Sequence, residues 1–148
     1  MQGDQALIDA AIEQLRTRWP GTHRGAAAVV YLVDGSILAG VTLGNINAAM
    51  TLCAETGPVC QAFKIGKAVV ASVCVAIVAD EKGFHVLAPC GACEKRLALW
   101  GPRVEVGVAC ANGESAWQSK PLIEVDPYYW APVYARESEW PSQDQHAD

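Results

Sequence analysis

The chain has 148 residues, of which 51% are apolar and 18% are charged, and this composition predicts a single folded domain over residues 1–148. Its formal charge is −5 and it contains no run of Lys and Arg, so we expect neither nucleic acid nor an anionic membrane surface as a partner. The longest apolar run, residues 68–79, is shorter than the roughly 18 residues that a membrane helix needs. With no secretory signal in the sequence, we expect a cytoplasmic protein whose six cysteines are thiols or metal ligands.

The first predicted elements are a helix, a hairpin and a second helix. Apolar residues at helical spacing predict a helix over residues 4–19, which a Pro-Gly pair ends. Residues 26–44 predict two strands joined by a turn at Asp34 and Gly35. A helix is expected over residues 53–64, although its Gly-Pro pair suits only a first turn.

The second half of the chain predicts two further strands with a helix between them. Residues 71–80 are almost continuously apolar, which is typical of a strand buried on both faces. Residues 91–100 predict a short helix, and the alternation over residues 103–110 predicts another strand. This order favours an α/β fold in which helices cover both faces of a mixed sheet. The polar residues 141–148 are expected to form a disordered tail.

Three cysteines and a glutamate fall into two short motifs, CAE at residues 53–55 and PCGAC at residues 89–93. Cys90 and Cys93 have the spacing with which two thiolates bind one tetrahedral ion, and zinc favours sulfur ligands. Cys53 is expected at the start of the preceding helix, so two helix starts could bring the three sulfurs together. Three ligands leave a fourth position open for water, and Glu55 is close enough in sequence to act on it as an acid or base.

This pattern resembles the zinc signature of the cytidine deaminase superfamily, in which the glutamate carries protons and is not a ligand. Cysteine before the glutamate is similar to the cytidine and blasticidin-S deaminase branch. The resemblance runs from about residue 25 to residue 130 and implies a three-layer α/β sandwich with a mixed five-stranded sheet. It also implies a zinc cofactor held by Cys53, Cys90 and Cys93, with Glu55 as the catalytic residue. A homo-oligomer is expected, a tetramer rather than a dimer.

The resemblance also implies which residues contact substrate. The backbone N–H of Ala54 would hold the carbonyl group of the ring, and Asn45 matches the asparagine of the substrate loop. Asn47 stands where the family has a sugar-binding glutamate, and His23 stands near the place of a stacking phenylalanine. Trp130 lies in an aromatic stretch similar to one that reaches a neighbouring subunit. The resemblance implies a small cytosine-type substrate, such as cytidine, deoxycytidine or blasticidin S.

The surroundings of the predicted zinc site differ from those of the family. Relatives often have an arginine after each motif, which offsets the negative charge of three thiolates on one zinc. Thr56 and Glu94 occupy those positions in this chain. Lys95 and Arg96 follow, and we expect them on a solvated helix face.

Other interpretations of the motifs stay open. The substrate could be another aminated heterocycle, such as a purine base. The chain could also be a structural zinc domain, with His85 or Cys60 as the nearest candidates for a fourth ligand. Lost activity on a retained fold is a third interpretation, against which the presence of Glu55 argues. The cysteines outside the motifs, Cys60, Cys74 and Cys110, are expected in the core.

Overall fold

Helices and strands alternate along the chain in the computed structural model, which describes residues 3–21, 24–77, 83–110, 116–134 and 140. Short 3-10 turns occupy Ala48–Met50, Ala98–Trp100 and Ala131–Tyr134. The helices and strands are α1 (Gln5–Arg18), β1 (Gly25–Leu32), β2 (Ile37–Val41), α2 (Thr56–Lys64), β3 (Val69–Ile77), β4 (His85–Leu87), α3 (Gly91–Leu97), β5 (Glu105–Ala109), β6 (Trp117–Pro121) and α4 (Leu122–Val125).

The strands form one mixed sheet in the order β2-β1-β3-β5-β6. Neighbouring strands along this path are antiparallel except β3 and β5, which are parallel. The short strand β4 pairs antiparallel with Cys74–Ala76 of β3. Strand β5 pairs with Ala71 and Ser72, which lie nearer the start of β3. The mixed α/β sheet is therefore confirmed. The main path has five strands, the number that the resemblance implied; the predicted elements located four of them, and β4 is a sixth strand.

Helices cover both faces of the sheet, as predicted. On one face, α1 packs through Leu7 and Leu15 against alternate residues of the central strands, such as Val29 and Val73. On the other face, α2 and α3 pack against the intervening residues, and this core contains Val30, Leu32, Val59, Ala62, Leu97 and Val106. Because β1 and β3 are buried on both sides, they read as near-continuous apolar runs rather than alternating ones.

The predicted elements of the first half agree with the structure to within a few residues. The hairpin turns where expected, and Gly35 has a φ of +81°, which favours glycine. Helix α2 begins at Thr56 rather than at residue 53, so Pro58 lies in the first turn, where its missing N–H is not needed. Strands β4 and β6 and helix α4 were not predicted. The expected tail, residues 141–148, lies outside the described residues, and no helix among the described ones is long and apolar enough to span a membrane.

Strand β2 and the start of α2 approach each other closely at Gly40. A Cβ atom added to Gly40 would lie 2.6 Å from the carbonyl oxygen of Ala54, and closer still to Cδ of Pro58. No real side chain tolerates such contacts with backbone and a rigid ring. The absence of a side chain at this position therefore lets the CAE motif sit directly on the sheet.

We predict that Gly40→Ala lowers the free energy of unfolding by about 1–3 kcal/mol, because the added methyl group must displace the start of α2. Gly57→Ala is the matched control, since a Cβ there meets no atom within 4 Å. That control should be neutral or stabilising by up to about 1 kcal/mol, because alanine favours a helix over glycine. Urea unfolding measures both, and equal losses would contradict the close approach.

Candidate metal centre

The thiols of Cys53, Cys90 and Cys93 meet at one edge of the sheet. Their Sγ atoms all lie within 4.8 Å of one another, and those of Cys53 and Cys90 are 3.4 Å apart. Sulfurs at about 2.3 Å from one tetrahedral zinc would be about 3.8 Å apart, so the three thiols have the spacing that a zinc ion needs.

The topology explains why these thiols meet. Helix α2 leads directly into β3, and α3 leads into β5, the one strand that runs parallel to β3. The two helices therefore start at the same edge of the sheet, where the parallel strands end. Cys53 immediately precedes the turn into α2, Cys90 is the N-cap residue of α3, and Cys93 is buried in the first turn of α3.

The environment affects the three thiols differently. Hydrogen bonding to Cys90 and then burial raise the pKa of Cys53. Burial, followed by the charge of Glu55, raises the pKa of Cys93 well above its usual range. Burial also acts to raise the pKa of Cys90, but backbone N–H groups at Cys93 and Ala92 and hydrogen bonds with both other thiols lower it overall. Protein groups thus lower the pKa of one thiol and raise the pKa values of the other two, whereas a bound cation deprotonates coordinating thiols outright.

Glu55 lies beside the thiols in a small cavity. Glu55 is buried, with only 4% of the residue exposed to solvent. The cavity has a volume of about 200 Å³, and Cys53, Cys90 and the hydroxyl-bearing Thr42 and Thr51 also line it. This volume lies below the roughly 300–1,000 Å³ of pockets that hold drug-sized ligands, so the cavity suits one small ring.

Small side chains form the wall of the cavity next to the sheet. Ala28, Ala54 and Cys74 pack together there, and Ala54 and Cys74 line the cavity. Burial and then the charge of Glu55 raise the pKa of Cys74 well above its usual range, so it is a neutral thiol. Sequence reasoning placed Cys74 in the core but not at the site, because its position depends on which face of β3 meets α2.

Of the residues predicted to contact substrate, Ala54 lines the cavity, whereas Asn45 and Asn47 do not. Ala54 is buried and lines the cavity. Asn45 and Asn47 are exposed and are not among its lining residues; the Asn45 Oδ1 accepts from the Asn47 N–H at 2.8 Å, and the Asn47 Oδ1 accepts from the Ala49 N–H at 3.2 Å. Both side-chain oxygens therefore brace the loop.

Two further predicted contacts remain predictions. Trp130 is 60% exposed and stacks at a tilt on Tyr129, with ring centroids 5.9 Å apart. His23 lies outside the described residues.

Lys95 and Arg96 follow Cys93 on α3 and point in different directions. Lys95 forms an ion pair with Asp126, and its ammonium lies 4.8 Å from the centre of the Tyr129 ring. Arg96 is half-buried, and its Nη1 lies 3.8 Å from the Cys93 Sγ. The prediction that both cations face solvent is therefore wrong for Arg96.

The residues considered as a fourth ligand do not join the thiol cluster. Among the described residues, Cys53, Cys90 and Cys93 form the one group of three or more possible ligands within ligand distance of one another. Cys60 is exposed on α2, contrary to its expected place in the core, and His85 lies on β4. Cys110 is half-buried. The donor set in the described part of the chain is thus three sulfurs with a carboxylate nearby.

Several solved structures are similar to this chain. No protein-family model and no curated protein sequence matches it. The cytidine deaminase from Bacillus anthracis is 37% identical, with a TM-score of 0.80 over 88% of this chain and 91% of that one. Cytidine deaminases from Burkholderia pseudomallei and Mycobacterium leprae are each 23% identical. Their TM-scores are 0.67 and 0.62, over 87% and 82% of this chain and 100% and 95% of theirs.

These likenesses define an α/β protein with the cytidine deaminase fold. The identity and coverage shared with the Bacillus anthracis protein go further than fold: the chain belongs to the cytidine deaminase family.

Proposed function

We propose that the protein is a zinc-dependent hydrolytic deaminase of a cytosine-type nucleoside, nucleobase or analogue. The observation that carries the proposal is that three thiols lie at zinc-binding distances from one another, and that two of them, Cys53 and Cys90, line a small cavity together with the buried carboxylate of Glu55. Family membership supports it, because the solved relatives are cytidine deaminases. In the reaction, one water molecule is consumed and the exocyclic amino group leaves as ammonia.

The three thiols, Glu55 and Ala54 each have a role in this proposal. Cys53, Cys90 and Cys93 would hold a zinc ion, which would supply a Lewis acid that lowers the pKa of water. Glu55 takes a proton from the attacking water, delivers it to the ring nitrogen and passes the next one to the leaving amine. The backbone N–H of Ala54 donates to the ring carbonyl and so fixes the orientation of the ring.

The lining of the cavity favours a free small molecule over a polynucleotide. Glu55 is its only charged residue among the described residues, and the chain is acidic overall, so no basic surface is present there for phosphates. Cytidine, deoxycytidine and blasticidin S are the candidate substrates. Asn45 and Asn47 would reach a sugar with their amide N–H groups, since their oxygens bind the loop. Contacts from His23 and Trp130 remain part of the proposal.

Ammonia release from cytidine, deoxycytidine, cytosine, blasticidin S, guanine and adenosine tests the proposal. We expect release from a cytosine-type compound, and Glu55→Gln should lower the rate by about 10²- to 10⁴-fold while zinc stays bound. Glu94→Gln is the matched control, because Glu94 is a half-buried carboxylate on α3 that does not line the cavity. Release from a purine alone would shift the substrate class. Silence across the panel with zinc bound would favour a structural zinc domain.

We also propose that the protein is a homo-oligomer, a tetramer rather than a dimer. Large apolar side chains are exposed in the loop before the CAE motif, residues 42–52, and in the segment after α4, residues 126–134, which we call the C-terminal stretch. Such exposure is unusual for a monomer surface. They include Ile46, Met50, Tyr128, Trp130 and Val133. A second copy of the chain would cover them and could complete the cavity.

Sedimentation should give four times the chain mass of 15.7 kDa at micromolar concentration. Ile46→Asp should shift the protein towards smaller species, because it buries a charge in the interface. Val33→Asp is the control, since Val33 is 63% exposed on the β1–β2 turn and belongs to neither stretch. A monomeric mass for the unmodified chain would overturn the oligomer proposal.

A further inference from the structure

The proposed zinc site carries an excess of negative charge. Zinc has two positive charges and three thiolates have three negative ones, so the group bears one net negative charge. The buried carboxylate of Glu55 lies beside it and adds another. Negative charge gathered away from solvent is costly unless a cation or hydrogen-bond donors offset it.

Arg96 is placed to offset this charge. It lies one helical turn after Cys93 on α3, so the two side chains share a face of the helix. Its Nη1 lies 3.8 Å from the Cys93 Sγ and donates to the Thr56 Oγ1 at 3.3 Å. Thr56 is the first residue of α2 and follows the CAE motif directly. One guanidinium therefore connects the starts of the two helices that carry the thiols.

The neighbouring cation on the same helix does not share this position. Lys95 pairs with Asp126 and lies over the Tyr129 ring, on the side of α3 that meets the C-terminal stretch. The two residues differ by one position and have the same charge, but only Arg96 of this pair contacts a thiol of the cluster. Contact with the site, rather than charge alone, distinguishes them.

We propose that Arg96 is a positioning residue for the zinc centre: it stabilises the Cys93 thiolate by a charged N–H···S contact and is itself held by the Thr56 hydroxyl. This inference rests on the proposed zinc site. A guanidinium carries a delocalised positive charge, which suits contact with a thiolate. It also has several N–H donors in a fixed plane, which allows simultaneous contact with a sulfur and an oxygen.

Competition with a chromogenic zinc chelator measures the effect on metal affinity. Arg96→Met should weaken zinc binding about tenfold, the low end of what is typical when a residue supporting a metal ligand is removed. Lys95→Met, the matched control, should change affinity by less than about twofold. Arg96→Lys keeps the charge without the planar fork, so we expect an affinity between those of Arg96→Met and the unmodified chain.

Two further measurements separate this role from a purely structural one. Urea unfolding of the metal-free proteins shows whether Arg96→Met weakens the fold itself, and we expect it to unfold at the same urea concentration as Lys95→Met. Cobalt substitution reports on the thiolates, and their sulfur-to-cobalt charge-transfer bands should shift in Arg96→Met but not in Lys95→Met. If Arg96→Met does not fold, Thr56→Val provides the test: losing the oxygen that holds the guanidinium should weaken zinc binding about two- to fivefold.

The outcomes distinguish this inference from the proposed function. Equal zinc affinity in Arg96→Met and Lys95→Met, with a tightly bound zinc in the unmodified chain, would overturn the role of Arg96 alone. An unmodified chain that binds no zinc would overturn the proposed function and this inference together. If the weaker zinc binding of Arg96→Met is fully matched by weaker folding of its metal-free form, the role of Arg96 as a positioning residue is also overturned.

Discussion

The contact between strand β2 and the first turn of α2 is the constraint on which the site depends. Gly40 has no side chain, and this lets the Ala54 carbonyl and the Pro58 ring lie directly on the sheet. The close approach places Cys53 and Glu55 at the edge where β3 and β5 end. A larger gap would move these two residues away from the start of α3, and the three sulfurs would no longer lie within ligand distance of one another.

The negative charge of the proposed zinc site is the second constraint. The two neighbouring cations of α3 point in different directions. Arg96 turns towards the thiols, whereas Lys95 turns towards Asp126 and Tyr129 in the C-terminal stretch. One short helix thus supports the proposed zinc centre and anchors the segment that carries Trp130. The same helix start provides backbone N–H groups to Cys90, which lower its pKa. Helix α3 therefore contacts both the proposed zinc centre and the C-terminal stretch.

Local patterns predicted much of this arrangement. The spacing of Cys90 and Cys93 and the CAE motif predicted a cluster of thiols, because two helices that start at the same end of a sheet bring their first residues together. The continuous apolar run of β3 predicted a strand covered on both faces, and this is confirmed. Strands β4 and β6 were missed, since β4 has three residues and β6 has several polar ones.

Features that depend on three-dimensional packing could not be predicted in this way. The inward direction of Arg96 depends on the rotation of α3 about its axis, which spacing alone does not fix. The position of Cys74 in the cavity wall depends on which face of β3 meets α2. The oxygens of Asn45 and Asn47 cap their own loop, as asparagine often does in turns, so a match to a substrate-loop motif did not show where they point.

X-ray absorption at the zinc edge of the purified protein tests the central claim most directly, because it counts the atoms bound to the metal. The account predicts three sulfurs at about 2.3 Å and one oxygen or nitrogen at about 2.0 Å, which is the signature of an open position filled by water. Four sulfurs, or no zinc in a folded protein, would contradict it.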